Sequence, residues 1–140
     1  MTANPPWSLQ EHPPTLETYQ RLREIMGWGR LDPTAAARGL VGALYSVTVV
    51  HGQDEIACAR IVGDNGIYFY VQDMMVHPDW QGRGIAPRLY EYVFERLRER
   101  GMRYVKVHTG GDPAHAPARR AYQKAGFEIA LPQVDYYREL

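Results

Sequence analysis

The sequence predicts a mixed α/β fold, with a central, mostly antiparallel sheet of roughly six to seven strands flanked by about four helices. Three observations predict it. Residues 16–26 and 32–40 repeat apolar side chains at helical spacing. Residues 43–76 instead carry runs of Val, Ile, Tyr and Thr divided by turn signals. From residue 85 the helical period returns, and helix and strand then alternate.

Each element has its own reason. Pro5, Pro6, Pro13 and Pro14 keep the first 14 residues out of regular helix, leaving residues 7–10 as a short edge strand. Leu16, Tyr19, Leu22, Ile25 and Met26 define a first helix, which Gly27 and Gly29 end. Asp32 is a good N-cap for a second, with Pro33 at its first position and Ala35, Ala36 and Ala37 leading to Leu40. Strands over 43–50 and 55–62 flank His51-Gly52-Gln53-Asp54, which reads as a hairpin. Asp64-Asn65-Gly66 is a second turn, before a third strand over 67–76. Leu89, Val93 and Leu97 line one face of a long helix, flanked by Ile85, Tyr90 and Phe94. Arg96, Arg98 and Arg100 suit the negative end of its dipole, and Gly101 stops it. A strand over 104–108, a helix from His115 or Ala116 to Ala125, and strands over 127–130 and 134–138 complete the order. The strand–helix–strand unit from 67 to 108 needs a crossover, so its two strands are expected to run parallel.

At 140 residues the chain is expected to form one domain, 1–140. Its 45% hydrophobic and 23% charged residues are those of an ordinary globular protein. Lys plus Arg and Asp plus Glu stand at 16 each, so no broad basic surface is implied and nucleic acid is not an expected partner. No apolar run approaches the ~20 residues of a membrane span, and the first residues lack the basic and apolar regions of a signal peptide. A cytoplasmic location without membrane partners is expected. Cys58, the single cysteine, lies in the apolar run Ile56-Ala57-Cys58-Ala59 and reads as a core residue rather than a nucleophile. His12, His51, His77, His108 and His115 show no ligand spacing, so no metal is expected. The absence of G-x-S-x-G leaves a hydrolase triad without support.

The informative segment is Met75-Val76-His77-Pro78-Asp79-Trp80-Gln81-Gly82-Arg83-Gly84-Ile85-Ala86. A strand ends, a turn with Pro78 follows, and two glycines open a long helix. Free N–H groups at a helix start, with the dipole behind them, form an anion site. Pyrophosphate is the usual guest. Pro87 sits in the first turn, where a missing N–H costs little. The dinucleotide fingerprint G-x-G-x-x-G fails, because Pro87 stands where its third glycine belongs. The phosphate-loop pattern G-x-x-x-x-G-K-[ST] is absent. What remains is Q-x-x-G-x-A between strand and helix.

That loop resembles the cofactor loop of the GNAT superfamily of N-acetyltransferases, Q/R-x-x-G-x-G/A, with Gln81, Gly84 and Ala86 in the matching positions. A second segment, Ala118-Arg119-Arg120-Ala121-Tyr122-Gln123-Lys124-Ala125-Gly126-Phe127, is similar to the family's A-x-x-x-Y-x-x-x-G-F. The resemblance covers residues ~40 to 130, whereas the first 35 match only in being helical. One departure is His115, where the family often has an asparagine near the pantetheine arm; the imidazole can replace the amide as a donor, or that contact is lost.

The resemblance implies acetyl-CoA as co-substrate, no metal, and a sheet splayed where the pantetheine lies between residues 67–76 and 104–108. It implies cofactor contacts from Met74, Met75, Val76, Gln81, Gly82, Arg83, Gly84, Ile85, Ala86, His115, Ala118 and Tyr122. The Val76 N–H would polarise the thioester carbonyl, an oxyanion-hole role. Tyr122 is the implied proton donor to the leaving thiolate, or else only packs beneath the cofactor. Asp73 is a candidate base, or a structural carboxylate at a strand irregularity; Tyr70 and His108 are alternatives. The expected acceptor is a small primary amine, with Trp28, Trp80, Tyr136 and Tyr137 as candidate pocket walls. A non-catalytic acyl-CoA sensor, or an enzyme acting on a protein or aminoacyl-tRNA amine, are the alternatives. Exposed strand edges and Val134-Asp135-Tyr136-Tyr137 suggest a homodimer.

Overall fold

A computed structural model of the chain describes residues 3–140, which divide into two compact units, the first ending at Val107 and the second His108–Leu140.

The first unit is built on a four-stranded antiparallel sheet in the order β1 (Ser8–Gln10), β2 (Tyr45–His51), β3 (Asp54–Gly63), β4 (Phe69–Val76). Alternation along the strands sends Val47, Val49, Ala57, Ala59, Ile61 and Val76 to one face. There they meet Ile85, Leu89, Val93 and Leu97 of α3 (Ile85–Glu99). Cys58 and Met75 point to the other face, against Tyr19 and Leu22 of α1 (Leu16–Ile25) and Ala36 and Leu40 of α2 (Pro33–Val41). Leu22 and Leu89 are fully buried, and burial of each stabilises the fold by about 1.5–3 kcal/mol.

The caps follow the sequence. Thr15 accepts from Thr18 N–H at the start of α1, and Asp32 Oδ2 accepts from Ala35 N–H at 2.9 Å at the start of α2. β4 begins two residues later than the pattern suggests, at Phe69. The reason is local: Asp64 Oδ1 accepts the N–H groups of Gly66, Ile67 and Tyr68 at 2.8–2.9 Å, which holds Ile67 and Tyr68 in the turn. Those donors also lower the Asp64 pKa.

In the second unit a 3-10 turn, Pro113–His115, leads into α4 (Ala116–Lys124). Phe127 N–H donates to Tyr122 O at 3.1 Å, and the two rings meet edge to face, with centroids 5.7 Å apart. No residue of this unit is buried.

The fold class is as expected, but the strand count needs correction. The described residues hold a four-stranded sheet, not six to seven strands. Residues 104–108 contribute one parallel bridge, Lys106 to Tyr70, in the expected sense. Residues 127–130 and 134–138 form no ladder. Alternating apolar residues show only that a segment suits pairing; a strand also needs a neighbour's backbone. No helix among the described residues is long and apolar enough to cross a membrane.

Candidate active site

The end of β4 and the loop after it form the first part of the site. His77 N–H donates to Ile56 O at 2.9 Å, so that parity faces β3. By alternation, Val76 and Met74 turn their backbone groups to the free edge. Met75 is turned inward: its register partner is Cys58 and its side chain is buried. Gln81 Nε2 donates to Val76 O at 3.0 Å, which ties the loop to the strand end. Between them, Trp80 packs against His51, ring centroids 4.7 Å apart, and under the Arg83 guanidinium at 5.0 Å.

Gly82 and Gly84 both have left-handed backbones, with φ of 73° and 81°. A Cβ at either would meet nothing within 4 Å, so conformation rather than crowding selects glycine, and the space beside the loop is open. Gly84 is the N-cap of α3 and supplies no side-chain cap. The first-turn amides, including those of Ile85 and Ala86, are therefore left without a capping side chain. Ile85 itself anchors the turn by burying its side chain.

The second part lies where β3 and β4 lose register, between Cys58 and Arg60. Opposite stands Asp73, with a left-handed backbone at φ 53°. Its Oδ2 accepts from Arg60 Nε at 2.7 Å and from the Tyr19 hydroxyl at 2.9 Å. Its Oδ1 faces Arg23 Nη1 at 3.7 Å. Burial, then the Asp73 charge and hydrogen bond, raise the Tyr19 pKa, so Tyr19 remains a neutral donor at pH 7. Cys58 Sγ lies 3.7 Å from Asp73 O, and burial pushes its thiol up to about 12. The thiol is accordingly a core group.

Tyr70, one of the two alternatives to Asp73, carries the bridge to Lys106 and stacks on Tyr68, centroids 6.2 Å apart. Trp28 is half exposed, with the Arg23 guanidinium 5.7 Å from its ring centroid.

In the second unit, His115 Nδ1 pairs with Asp112 Oδ1 at 2.5 Å, and that hydrogen bond holds the Asp112 carboxyl below its usual range. A Cβ at Gly110 would lie 2.3 Å from Asp112 Oδ1 and 2.6 Å from His115 Nδ1, so the close approach requires glycine. Arg119 Nη1 donates to Gly110 O and Asp112 O, bracing that turn. The pairing at Nδ1 leaves Nε2 as the His115 atom for any further contact. Tyr122 stands on α4 two turns after His115, with Ala118 between them. Partial burial raises the Tyr122 pKa further above neutrality, so the phenol is protonated at pH 7. His108, Tyr136 and Tyr137 are exposed.

Sequence reading missed Tyr19, Arg23 and Arg60 around Asp73. Two signals were present. Arg60 interrupts an otherwise apolar strand, and Tyr19 and Arg23 are four apart and share one face of α1.

Comparison with known proteins bears on the whole arrangement. A profile of the acetyltransferase (GNAT) domain matches residues 43–129. An uncharacterised N-acetyltransferase, YsnE of Bacillus subtilis, is 30% identical over 84 residues, covering 59% of this chain and 56% of that protein. An uncharacterised ycf52-like N-acetyltransferase of Prochlorococcus marinus is 29% identical over 90 residues, 61% of this chain and 50% of that protein. The chain thus spans about half the length of these curated relatives. Among solved structures, a protein of unknown function and probable acetyltransferase from meticillin-resistant Staphylococcus aureus superposes with a TM-score of 0.81 at 26% identity, covering 96% of this chain and 99% of that one. The aminoglycoside acetyltransferase AAC(6')-Iy, solved with a bisubstrate analogue of CoA, shares the fold with a TM-score of 0.75 at 19% identity, covering 96% and 99%. The match over residues 43–129 establishes that the chain belongs to the GNAT acetyltransferase family.

Proposed function

We propose that this chain transfers the acetyl group of acetyl-CoA to a primary amine by direct attack in a ternary complex. The observation that carries the reading is the start of α3. Left-handed Gly84 opens the helix without a side-chain cap, and Gln81 of the same loop is bonded to Val76 O at the end of β4. An anion at that turn would satisfy amides that no side chain caps. The residues fit a pyrophosphate there, because an open space adjoins both glycines. The CoA-bound neighbour of the same fold supports the same assignment.

When bound, acetyl-CoA supplies an activated thioester carbonyl. The chain's own groups do the rest. Val76 N–H, on the free edge, is the proposed donor to the carbonyl oxygen, where charge develops as the amine attacks. Met74 is the proposed backbone partner of the pantetheine. Gln81 positions the turn through Val76 O, and Arg83, held over Trp80, brings a guanidinium beside the phosphate loop.

An alkyl amine is mostly protonated at pH 7, a cost of about 4 kcal/mol in neutral nucleophile. Asp73 is the proposed acceptor of that proton, through Oδ1. The C–N bond forms and the C–S bond breaks; the nitrogen loses a second proton as it becomes the amide, the leaving sulfur gains one, and the nitrogen's proton restores the donor. Tyr122, protonated at neutral pH, is the proposed donor. The His115–Asp112 pair is proposed to present Nε2 to the cofactor in place of the family's asparagine.

Free-thiol release from acetyl-CoA tests this reading, with and without polyamines, arylalkyl amines, amino acids and aminoglycosides. Release that depends on one amine class supports it. No release with any amine, from protein that binds acetyl-CoA, would favour a sensing domain or a macromolecular acceptor.

A further inference from the structure

The cluster beneath the β4 irregularity is unbalanced in charge. Two guanidinium groups, Arg23 and Arg60, face one carboxylate, Asp73, and the three side chains are only 15%, 19% and 11% exposed. Tyr19, the other polar partner, stays neutral. Partly desolvated charge with half its counter-charge is costly, and an anion at this cluster would relieve it.

The hydrogen bonds show which atoms are committed. Arg60 uses Nε on Asp73 and Nη1 on Gly39 O. Arg23 uses Nε on Gly29 O and Nη2 on Trp28 O. Asp73 Oδ2 is occupied twice. Asp73 Oδ1 and Arg23 Nη1 stand 3.7 Å apart, outside hydrogen-bond distance, and neither has another such partner among the described residues. Neither is sealed off. The Arg23 and Asp73 side chains keep 15% and 11% of their surface exposed. The Arg23 guanidinium is also held against two rings, Tyr19 at 5.9 Å and the half-exposed Trp28 at 5.7 Å. An acceptor and a donor of opposite charge are therefore fixed side by side.

We propose that the acetyl acceptor is an α-amino carboxylate, with its amine on Asp73 Oδ1 and its carboxylate on Arg23 Nη1. The ligand's own amine nitrogen and carboxylate oxygen lie about 3 Å apart across the α-carbon and the carboxyl carbon, a spacing that suits the adjacent pair. Such a zwitterion brings the missing negative charge and places its amine on the proposed base. A polycationic amine would set positive charge against Arg23 and Arg60. This inference rests on the acetyltransferase reading above and narrows it to a substrate class.

The experiment compares amino acids with their decarboxylated amines and their carboxamides. It measures turnover with acetyl-CoA, and calorimetric binding to the protein loaded with CoA. The amino acid should be favoured by at least about tenfold in kcat/KM, the scale of one charged hydrogen bond. Arg23→Gln should collapse that ratio through the acceptor KM, and Arg23→Lys should restore part of it. A melting curve on each variant excludes unfolding. Equal or better turnover of the decarboxylated amines overturns the inference and leaves the enzyme reading intact. Amino acids that bind selectively but are never acetylated overturn the enzyme reading and leave the recognition intact. Neither binding nor turnover of amino acids, with other amines active, also overturns the inference.

Discussion

Arg60 Nε donates to Asp73 Oδ2 at 2.7 Å across the point where β3 and β4 lose register. The bond pins a residue whose backbone is left-handed, and it joins β3 and β4 to α1 through Tyr19. Asp73→Asn keeps a residue type that tolerates positive φ and removes the charge that two arginines share. Breaking a mostly buried pair in this way should lower stability by about 3 kcal/mol. Urea denaturation measures it. An unchanged midpoint would show that the cluster contributes no net stability.

The phosphate loop makes a sharper prediction. Gly84→Asp should abolish acetyl-CoA binding by calorimetry, because a carboxylate would enter the space kept for the pyrophosphate. It also forces a side chain onto a backbone at φ 81°, which costs about 1–2 kcal/mol. Gly84→Ala carries the same strain without the charge and serves as its control. Equal affinity in wild type and Gly84→Asp would remove the loop from the cofactor site.

Tyr122→Phe should lower kcat by about 10²-fold, the lower end of general-acid contributions, with little change in the acetyl-CoA KM. Burial raises the Tyr122 pKa above its ordinary value of 10. Proton donation should therefore persist through neutral pH and fail only above pH 10. A variant with wild-type kcat would leave the ring a packing role alone.

Cys58 gives a pH dependence with a definite sign. Its thiol is raised from 9 to about 12 by burial. The folded state thus holds its proton where the unfolded chain loses it. Stability from this group is complete below pH 9 and is lost as pH rises from 9 towards 12, on the order of 4 kcal/mol in all. Denaturant midpoints measured across that window should fall, and Cys58→Ala should flatten the fall. The native thiol should also resist thiol reagents at neutral pH, which keeps a thiol-release assay free of background.

Much of this molecule was legible in the sequence because its signals are local. The Asp32 cap, the Asp64 turn and the Gly84 helix start each depend on a few adjacent residues, and all three stand where such residues put them. The later strands were not legible in the same way. Residues 127–130 and 134–138 have the composition of strands, but pairing depends on a distant backbone that composition does not encode. The surroundings of Asp73 were hidden for a related reason. Tyr19 and Arg23 come from α1, distant in sequence from β4, and only the packing of α1 on the sheet brings them to the carboxylate that Arg60 of the neighbouring β3 holds.

Transfer itself is the most direct test. Acetyl-CoA labelled with ¹³C at the carbonyl is mixed with the protein and an amine, and the carbonyl resonance is followed. Direct transfer to the amine gives an amide resonance that grows in step with free CoA thiol and requires both protein and amine. Thiol release that yields only acetate, or bound acetyl-CoA that stays intact beside every amine, would contradict it.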